Sequence, residues 1–598
     1  MKKYLALFLA LVMVLALAAC GGNGSAPATG SGSTSSSSSS TGSNSSTGST
    51  PTPAAEETPD ANKLVSAAFI DPIGEWSKYD ALIAQIKSET DFAKRTDLMH
   101  QAEDILMATN CVIPIYYYND IYLMKSYVSG IYSNPYATKF FMYTKLSNGS
   151  DTLRLQLSSE PDYLDPALNS SVDGACLAAN SFSGLYTYDA NGKPVPDCAK
   201  GYEVTPDGLT YTVTLKDGLK WSDGSDLTAA DFVYSWKRAA NDDTAADYAY
   251  MFDNIKGFPN DLAVSAPDAT TFVFELNSPC AYMEDLMAFP TFFPVKQSSV
   301  ESYADWKTSP GGWCQDAGFV SNGAFVCTGW NHDVSMTYEK NPYYHNADKV
   351  TIKKLEYMLS ADETAIFAAY NAGNLDFADS VPTDEVASLL SNPEFHIVDE
   401  LGTYYVAFNA KSSIFNGKTP QQAACMREAF TILIDRDYIV TNIGQTGQVA
   451  ANAFIPLGMA DGNGGIFKKN AEDGYFDAYG VNNDYDAGLE RAITLLKAAG
   501  YKFGDDGKLS PETPIQLEYL TNTTTGHIAI AESIQQDLSA IGIELSIQQQ
   551  DWNVFLEERK AGNFDFAREG WIADFNDPIN MLEMWTTVSG NNDCQFGR

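Results

Sequence analysis

Few of the residue types able to do covalent chemistry stand in a useful arrangement in this chain of 598 residues. Its five His and nine Cys are scattered, with no Cys-x-x-Cys, no His-Glu-x-x-His and no Gly-x-Ser-x-Gly. Neither a zinc site, a redox dithiol nor a hydrolytic nucleophile is indicated, and no metal or cofactor is called for. A secreted hydrolase is therefore the weaker reading. What the chain has in excess is acid and ring surface: 76 Asp+Glu against 38 Lys+Arg, a formal net charge of −38, 33 Tyr and 31 Phe. So acidic a molecule repels a phosphate backbone, which excludes nucleic-acid binding, and most of the carboxylates form a solvated face.

At about 100 to 200 residues per domain, the length implies two to four domains. Lys2 and Lys3 precede an apolar run from Leu5 to Leu17 that stops at Leu17-Ala18-Ala19-Cys20-Gly21. That run is too short to span a bilayer and reads as an export signal. Small residues before Cys20 resemble the lipobox of bacterial lipoproteins, in which the thiol carries a diacylglycerol and anchors the mature chain to the outer face of the membrane. Gly21 to Pro59 is almost wholly Gly, Ser, Thr and Pro, too poor in apolar groups to offset its ordering entropy. It reads as a disordered tether reaching roughly 35 Å from the lipid. No later apolar run has spanning length. Export makes disulfides possible among the remaining Cys, but spacing does not reveal pairs.

From Asp151 the pattern alternates between strand and helix. Tyr211 to Leu215 reads as a strand closed by Lys216-Asp217-Gly218. Leu227 to Ala240 reads as a helix, with Thr228 as its cap, Asp231 in the first turn and Lys237 and Arg238 in the last. Thr364 to Ala372 and Ala424 to Val440 read as further helices. Gln516 to Tyr519 and Glu544 to Gln548 are expected as strands on either side of a helix from about Ile528 to Ala540, a βαβ unit. Such alternation over more than four hundred residues is α/β.

Several local motifs then fall in one order: Ser158-Ser159-Glu160-Pro161-Asp162-Tyr163-Leu164-Asp165-Pro166, Thr210 to Gly224 (TYTVTLKDGLKWSDG), Asn322-Gly323-Ala324-Phe325 and Asn341-Pro342-Tyr343-Tyr344. Gly402-Thr403-Tyr404-Tyr405, Met426-Arg427-Glu428-Ala429-Phe430 and Trp571-Ile572-Ala573-Asp574-Phe575-Asn576-Asp577-Pro578 continue the series. Over nearly all of Asp151 to Arg598 the chain resembles the oligopeptide-binding proteins, the solute-binding subunits of ABC importers. The resemblance implies a two-lobed periplasmic-binding-protein-like α/β fold of class II type with an extra α/β subdomain. It also implies a monomer that is not an enzyme, holds oligopeptides between its lobes and delivers them to permease subunits outside the cell.

One departure concerns order. The family's C-terminal helix and Pro-aromatic strand resemble Tyr79 to Thr109 and Ile113 to Tyr118, with Met124 to Val128 and Phe140 to Leu146 after them. The chain reads as a circular permutant, joined through Ser147-Asn148-Gly149-Ser150. The expected parts are a signal peptide (1–20), a tether (21–60), a relocated helical part of the distal lobe (61–112), lobe I (113–194 and 321–401), the extra subdomain (195–320) and the distal lobe (402–598). Ile113 to Tyr118 is expected to pair in the same lobe as Leu153 to Leu157.

Position by position, the resemblance also implies a ligand site. Asp574 matches the carboxylate that binds a peptide's amino terminus, or is an Asx-turn residue before Pro578. Trp571 and Trp552 match tryptophans that line side-chain pockets, or are plain core. Tyr118, Tyr404 and Tyr405 match cleft residues, or belong to half-buried sheet. Arg568 and Arg559 match basic residues that can meet a peptide carboxylate, although Arg559 reads equally as a solvated surface residue. Ser170 and Val172 lie in the loop that carries an acidic ligand contact in the family and has none here. A family disulfide is absent, because its two positions are Gly402 and Ile572. A sugar is the rival ligand, which would leave Asp574 without a counter-charge; within the family, cationic compounds and metal chelates are others.

Overall fold

The computed structural model describes residues 58–158, 160–468 and 485–598. The export signal, Cys20 and nearly all of the tether lie outside the described residues.

Three sheets carry the architecture. The largest has seven strands, in the order Phe377–Ala378, Val112–Met124, Phe395–Phe408, Phe566–Ile572, Gln516–Asn522, Glu544–Gln550, with Val449–Ala450 added to Val112–Met124. Phe325–Asn331, Ser335–Lys340, Lys354–Leu359 and Thr152–Leu157 form a four-stranded sheet, and Val264–Asp268, Thr271–Glu275, Thr210–Leu215 and Ala199–Val204 form another. The expected βαβ unit is present. Gln516–Asn522 and Glu544–Gln550 pair in parallel on either side of the helix Thr525–Ser539, the long crossover that parallel pairing requires. In the small subdomain, Thr228 and Asp231 close a capping box at the start of the helix Ala229–Ala240. That helix buries Phe232 and Trp236 against Phe272 and Phe274, and the Trp236 Nε1–H donates to the Phe292 carbonyl at 2.8 Å.

Two long strands join the lobes. Val112–Met124 and Phe395–Phe408 pair antiparallel, and the register shifts between Tyr117 and Asn119. On one side of that bulge, Val112 to Tyr117 pair with Thr403 to Ala407, and this same stretch of the partner pairs with Phe566–Ile572. On the other side, Asn119 to Leu123 pair with Phe395 to Asp399. Leu123 and Met124 continue onto Phe377–Ala378, next to Thr152–Leu157. This corrects the expectation for Ile113 to Tyr118. That stretch lies in the seven-stranded sheet with the distal strands, whereas Leu153 to Leu157 pair with Leu355 to Leu359 in another sheet. The reason is the strand's length: at about 3.3 Å per residue, thirteen residues reach from one lobe into the next.

The described residues before Ser147, 58–146, do not form a module of their own. The Trp76 Nε1–H donates to the Trp585 carbonyl at 2.8 Å and the Tyr79 hydroxyl to the Leu582 carbonyl at 2.9 Å. Arg95 meets Asp577 with two parallel bonds of 2.8 Å, both side chains buried. Local chemistry divides the expected Tyr79 to Thr109 helix into Ser77–Ser88 and Phe92–Ala108. Asp91 between them accepts from the Ala93 and Lys94 amides and starts a new helix. Likewise the expected Ala424 to Val440 helix runs Pro420–Leu433, opened by a Thr419/Gln422 capping box, and a fresh turn begins where Asp435 accepts from the Tyr438 amide. Among the described residues all eight Cys are free.

Candidate ligand-binding cleft

A cavity of about 630 Å³ lies between the lobes, within the usual range for small-ligand sites. Its walls come from Tyr118, Ser170, Val172 and Tyr188 on one side, Tyr248 of the small subdomain, and Tyr405, Trp552, Arg559, Arg568, Trp571 and Asp574 of the distal side. Two polar contacts stand beside it. The Thr525 hydroxyl meets Glu363, and Lys560 pairs with Asp247.

Asp574 follows the strand Phe566–Ile572, whose last bond has the Ala573 amide donating to the Leu401 carbonyl at 2.7 Å. Beyond it the chain turns, and Asn580 organises the turn. Its Nδ2–H donates to Asp574 Oδ2 at 2.8 Å, while its Oδ1 accepts from the Asp574 amide at 3.0 Å and from Trp571 Nε1 at 3.1 Å. The Tyr248 hydroxyl donates to Asp574 Oδ1 at 3.2 Å, and the Tyr188 hydroxyl to the Asp574 carbonyl at 3.3 Å. The side chain is 8% exposed, and among the described residues no Lys, Arg or His pairs with it. Burial pushes its pKa up from 3.8 to about 7, against the hydrogen bonds from Asn580 and Tyr248. The Asx turn belongs instead to Asp577, whose carboxylate accepts from the Ile579 amide at 3.0 Å.

Of the other expected residues, most meet here. Trp571 and Trp552 are half-buried and line the cavity. Tyr118 sits in the bulge between the lobes, and its hydroxyl lies where a Cβ on Gly570 would be, 2.2 Å away, so glycine there makes room for the ring. Tyr405 lines the wall and packs on Phe454 and Trp585 behind it.

Three placements differ from expectation. Tyr404 is not a wall residue. It is fully buried, stacked on Tyr116 at 4.9 Å, and its ring supports the Arg568 guanidinium at 5.5 Å. Arg559 is no solvated surface residue, and its charge is already taken, by Glu569 at 2.7 Å and Asp593 at 2.8 Å. Arg568 by contrast lies over Tyr404 and Trp552 with no carboxylate paired to it among the described residues. Ser170 donates to Asp247 at 3.0 Å, so an acid from the small subdomain stands against the loop that lacks its own, neutralised by Lys560. Val172 opens the helix Val172–Ser181 and is 41% exposed.

Tyr188, Tyr248, Asn580, His527, Glu569 and Asp593 are site residues that motif reasoning passes over. Glu569 and Asn580 alone lie near a motif, two residues to either side of Trp571 to Pro578. Desolvation, with Arg568 adding to it, holds the His527 imidazole well below its ordinary pKa, so it is neutral.

The model of the bacterial extracellular solute-binding proteins, family 5 Middle, matches residues 193–593. Oligopeptide-binding protein OppA of Bacillus subtilis is 33% identical over 464 residues, 75% of this chain and 80% of that protein. The chain belongs to this family. Within it, the periplasmic oligopeptide-binding protein OppA of Salmonella typhimurium is 31% identical over 463 residues, 74% of this chain and 79% of that one. Among solved structures, Haemophilus influenzae OppA in complex with RPPGFSPFR superposes with a TM-score of 0.64 at 26% identity, over 75% of this chain and 85% of that one. The murein tripeptide binding protein MppA of Escherichia coli gives 0.65 at 28%, over 74% and 84%. The fold is the two-lobed α/β fold of class II binding proteins.

Proposed function

We propose that the protein captures oligopeptides with a free amino terminus in this cleft and delivers them to the permease of an ABC importer. The observation that carries the reading is Asp574: a buried carboxylate at the cavity wall, aligned by Asn580 and Tyr248, with no cation paired to it among the described residues. An isolated buried charge is costly, and a ligand ammonium relieves that cost with a charge-assisted bond. Arg568 supplies the opposite sign for a carboxylate, so the cleft suits a zwitterion and not a neutral sugar. Trp552, Trp571, Tyr118 and Tyr405 offer flat faces to varied side chains.

The relatives' names point the same way, being oligopeptide-binding proteins. In this reading the chain is a monomer without catalysis or cofactor, exported and held outside the cell by a lipid on Cys20. It is also a circular permutant: Arg95–Asp577 and Trp76–Trp585 contacts tie the early helices to the segment after Asp574, where the family's C-terminal helix is expected. A thermal-shift screen with di- to hexapeptides, sugars and metal chelates tests the ligand class, since only a ligand of the native state raises the melting point. A response to sugars alone would overturn the reading.

A further inference from the structure

Among the described residues the polypeptide passes between the two sides of the cleft only twice, at the bulge where Val112–Met124 and Phe395–Phe408 change partners. Residues 119–399 stand on one side of that bulge, and 58–117 with 403–598 on the other. Two strands are a narrow connection, so contacts elsewhere decide how firmly the sides hold together.

One group of such contacts lies away from the cavity. Lys87, in the last turn of the helix Ser77–Ser88, meets Asp253 across the divide at 2.6 Å and Glu583 on its own side. The Ser278 hydroxyl stands 3.1 Å from the Lys87 carbonyl, one of those that a helix end leaves without an internal partner. The Tyr282 and Phe575 rings stack at 4.5 Å, within 6° of parallel. Asp253, Ser278 and Tyr282 thus face Lys87, Phe575 and Glu583, and none of the six lines the cavity.

Both surfaces are anchored behind the contact. Tyr79 and Trp76 tie the helix Ser77–Ser88 to the Leu582 and Trp585 carbonyls. Asp253 follows the turn Ala249–Phe252, whose Phe252 stacks on Phe292 at 4.1 Å. When the sides part, Lys87 keeps Glu583, whose side chain is only 4% exposed, so no buried carboxylate is stranded. Asp253, already 37% exposed, passes to water. The Lys87–Asp253 pair, the hydroxyl contact and the ring stack are therefore made together on closure and lost together on opening.

Resting on the peptide reading above, we propose that this contact is a latch for lobe closure, which strengthens the binding of every cleft ligand alike and does not set specificity. An apparent Kd is the intrinsic one divided by the fraction of molecules in the binding-competent form. A contact made only on closure therefore scales all ligands by one factor.

The test uses Asp253→Asn, which removes the charge, and Asp253→Lys, which sets two ammonium groups against each other. Trialanine and a tripeptide with a central Trp are titrated by calorimetry at pH 7.5, with koff from stopped flow. Asp253→Asn should raise both Kd values by the same factor, about three- to fivefold for a partly exposed pair, and mostly through koff. Asp253→Lys should raise both by about tenfold or more. The ratio of the two Kd values should stay at its wild-type value in each variant. If Asp253→Lys fails to fold, Asp253→Asn decides alone. Unchanged affinities in a folded variant, or a loss confined to one of the peptides, overturns the latch and leaves peptide binding intact. If neither peptide binds the wild type, the peptide reading itself falls and this inference with it.

Discussion

Replacing Asp574 by Asn removes one charge and little else, so its effect can be worked from the site. The shift from 3.8 to about 7 is about three pKa units. At 1.36 kcal/mol each, ionising Asp574 in its buried site costs about 4 kcal/mol at neutral pH. A ligand ammonium can recover at most about that much, and truncating a buried charged pair costs about 2 kcal/mol or more. Asp574→Asn should therefore weaken peptide binding by about 2 to 4 kcal/mol, roughly 30- to 700-fold in Kd. The pH dependence carries a sign. Because the folded pKa lies above the unfolded one, ionisation destabilises the folded protein from about pH 4 upward, and fully above about pH 7. The Asn variant escapes that penalty, so at pH 7.5 its melting point should equal or exceed that of the wild type. Below pH 7 a ligand must displace the proton, so wild-type affinity should fall toward acid; above about pH 8 the peptide amine loses its own proton. Calorimetry of one free-amine tripeptide from pH 5 to 9 reads both limbs. An acid limb that persists in Asp574→Asn, or a variant that binds as well as the wild type, would refute the assignment.

Arg95→Ala strands the buried Asp577 carboxylate and should lower stability in urea by about 3 to 5 kcal/mol; a loss below about 1 kcal/mol would show that the early helices are only loosely attached. The permutation is checked by rejoining the chain, with Thr58 to Leu146 moved behind Arg598 through a flexible Gly/Ser linker and Asp151 as the new start. That protein should fold with an unchanged circular dichroism spectrum and peptide affinity, and failure to fold under conditions where the parent folds counts against the permutation. Cys20→Ala protein should leave the membrane fraction for the medium, and retention at the membrane would remove the lipid anchor from the account.

Much of this was legible where the signal is local. The Thr228/Asp231 cap, the Tyr211 to Leu215 strand and the βαβ unit around Thr525–Ser539 follow from periodicity and capping within one short stretch. Asp574, the two tryptophans, Arg568 and Tyr118 came from a family resemblance, and the cavity gathers them. What could not be read is set by distant partners. Tyr248 and Tyr188 stand 326 and 386 residues from Asp574 along the chain, and no local pattern marks either. Tyr404 and Tyr405 are adjacent and alike in type, and strand alternation sends only Tyr405 to the cavity. Arg559 is a site residue whose charge is spent on Glu569 and Asp593, acids 10 and 34 residues away by number, a pairing that only the fold creates. Ile113 to Tyr118 do not share a sheet with Leu153 to Leu157, because the long strand Val112–Met124 meets two sets of partners that no local pattern announces.

The central claim is that Asp574 receives a peptide's α-ammonium, and blocking that amine tests it most directly. The Kd of one tripeptide should be compared with that of its N-acetylated form on the wild-type protein at pH 7.5. Acetylation deletes the cation and leaves the backbone and side chains in place, so the acetylated peptide should bind about 30-fold more weakly or worse. Equal affinity for the two peptides would contradict the account.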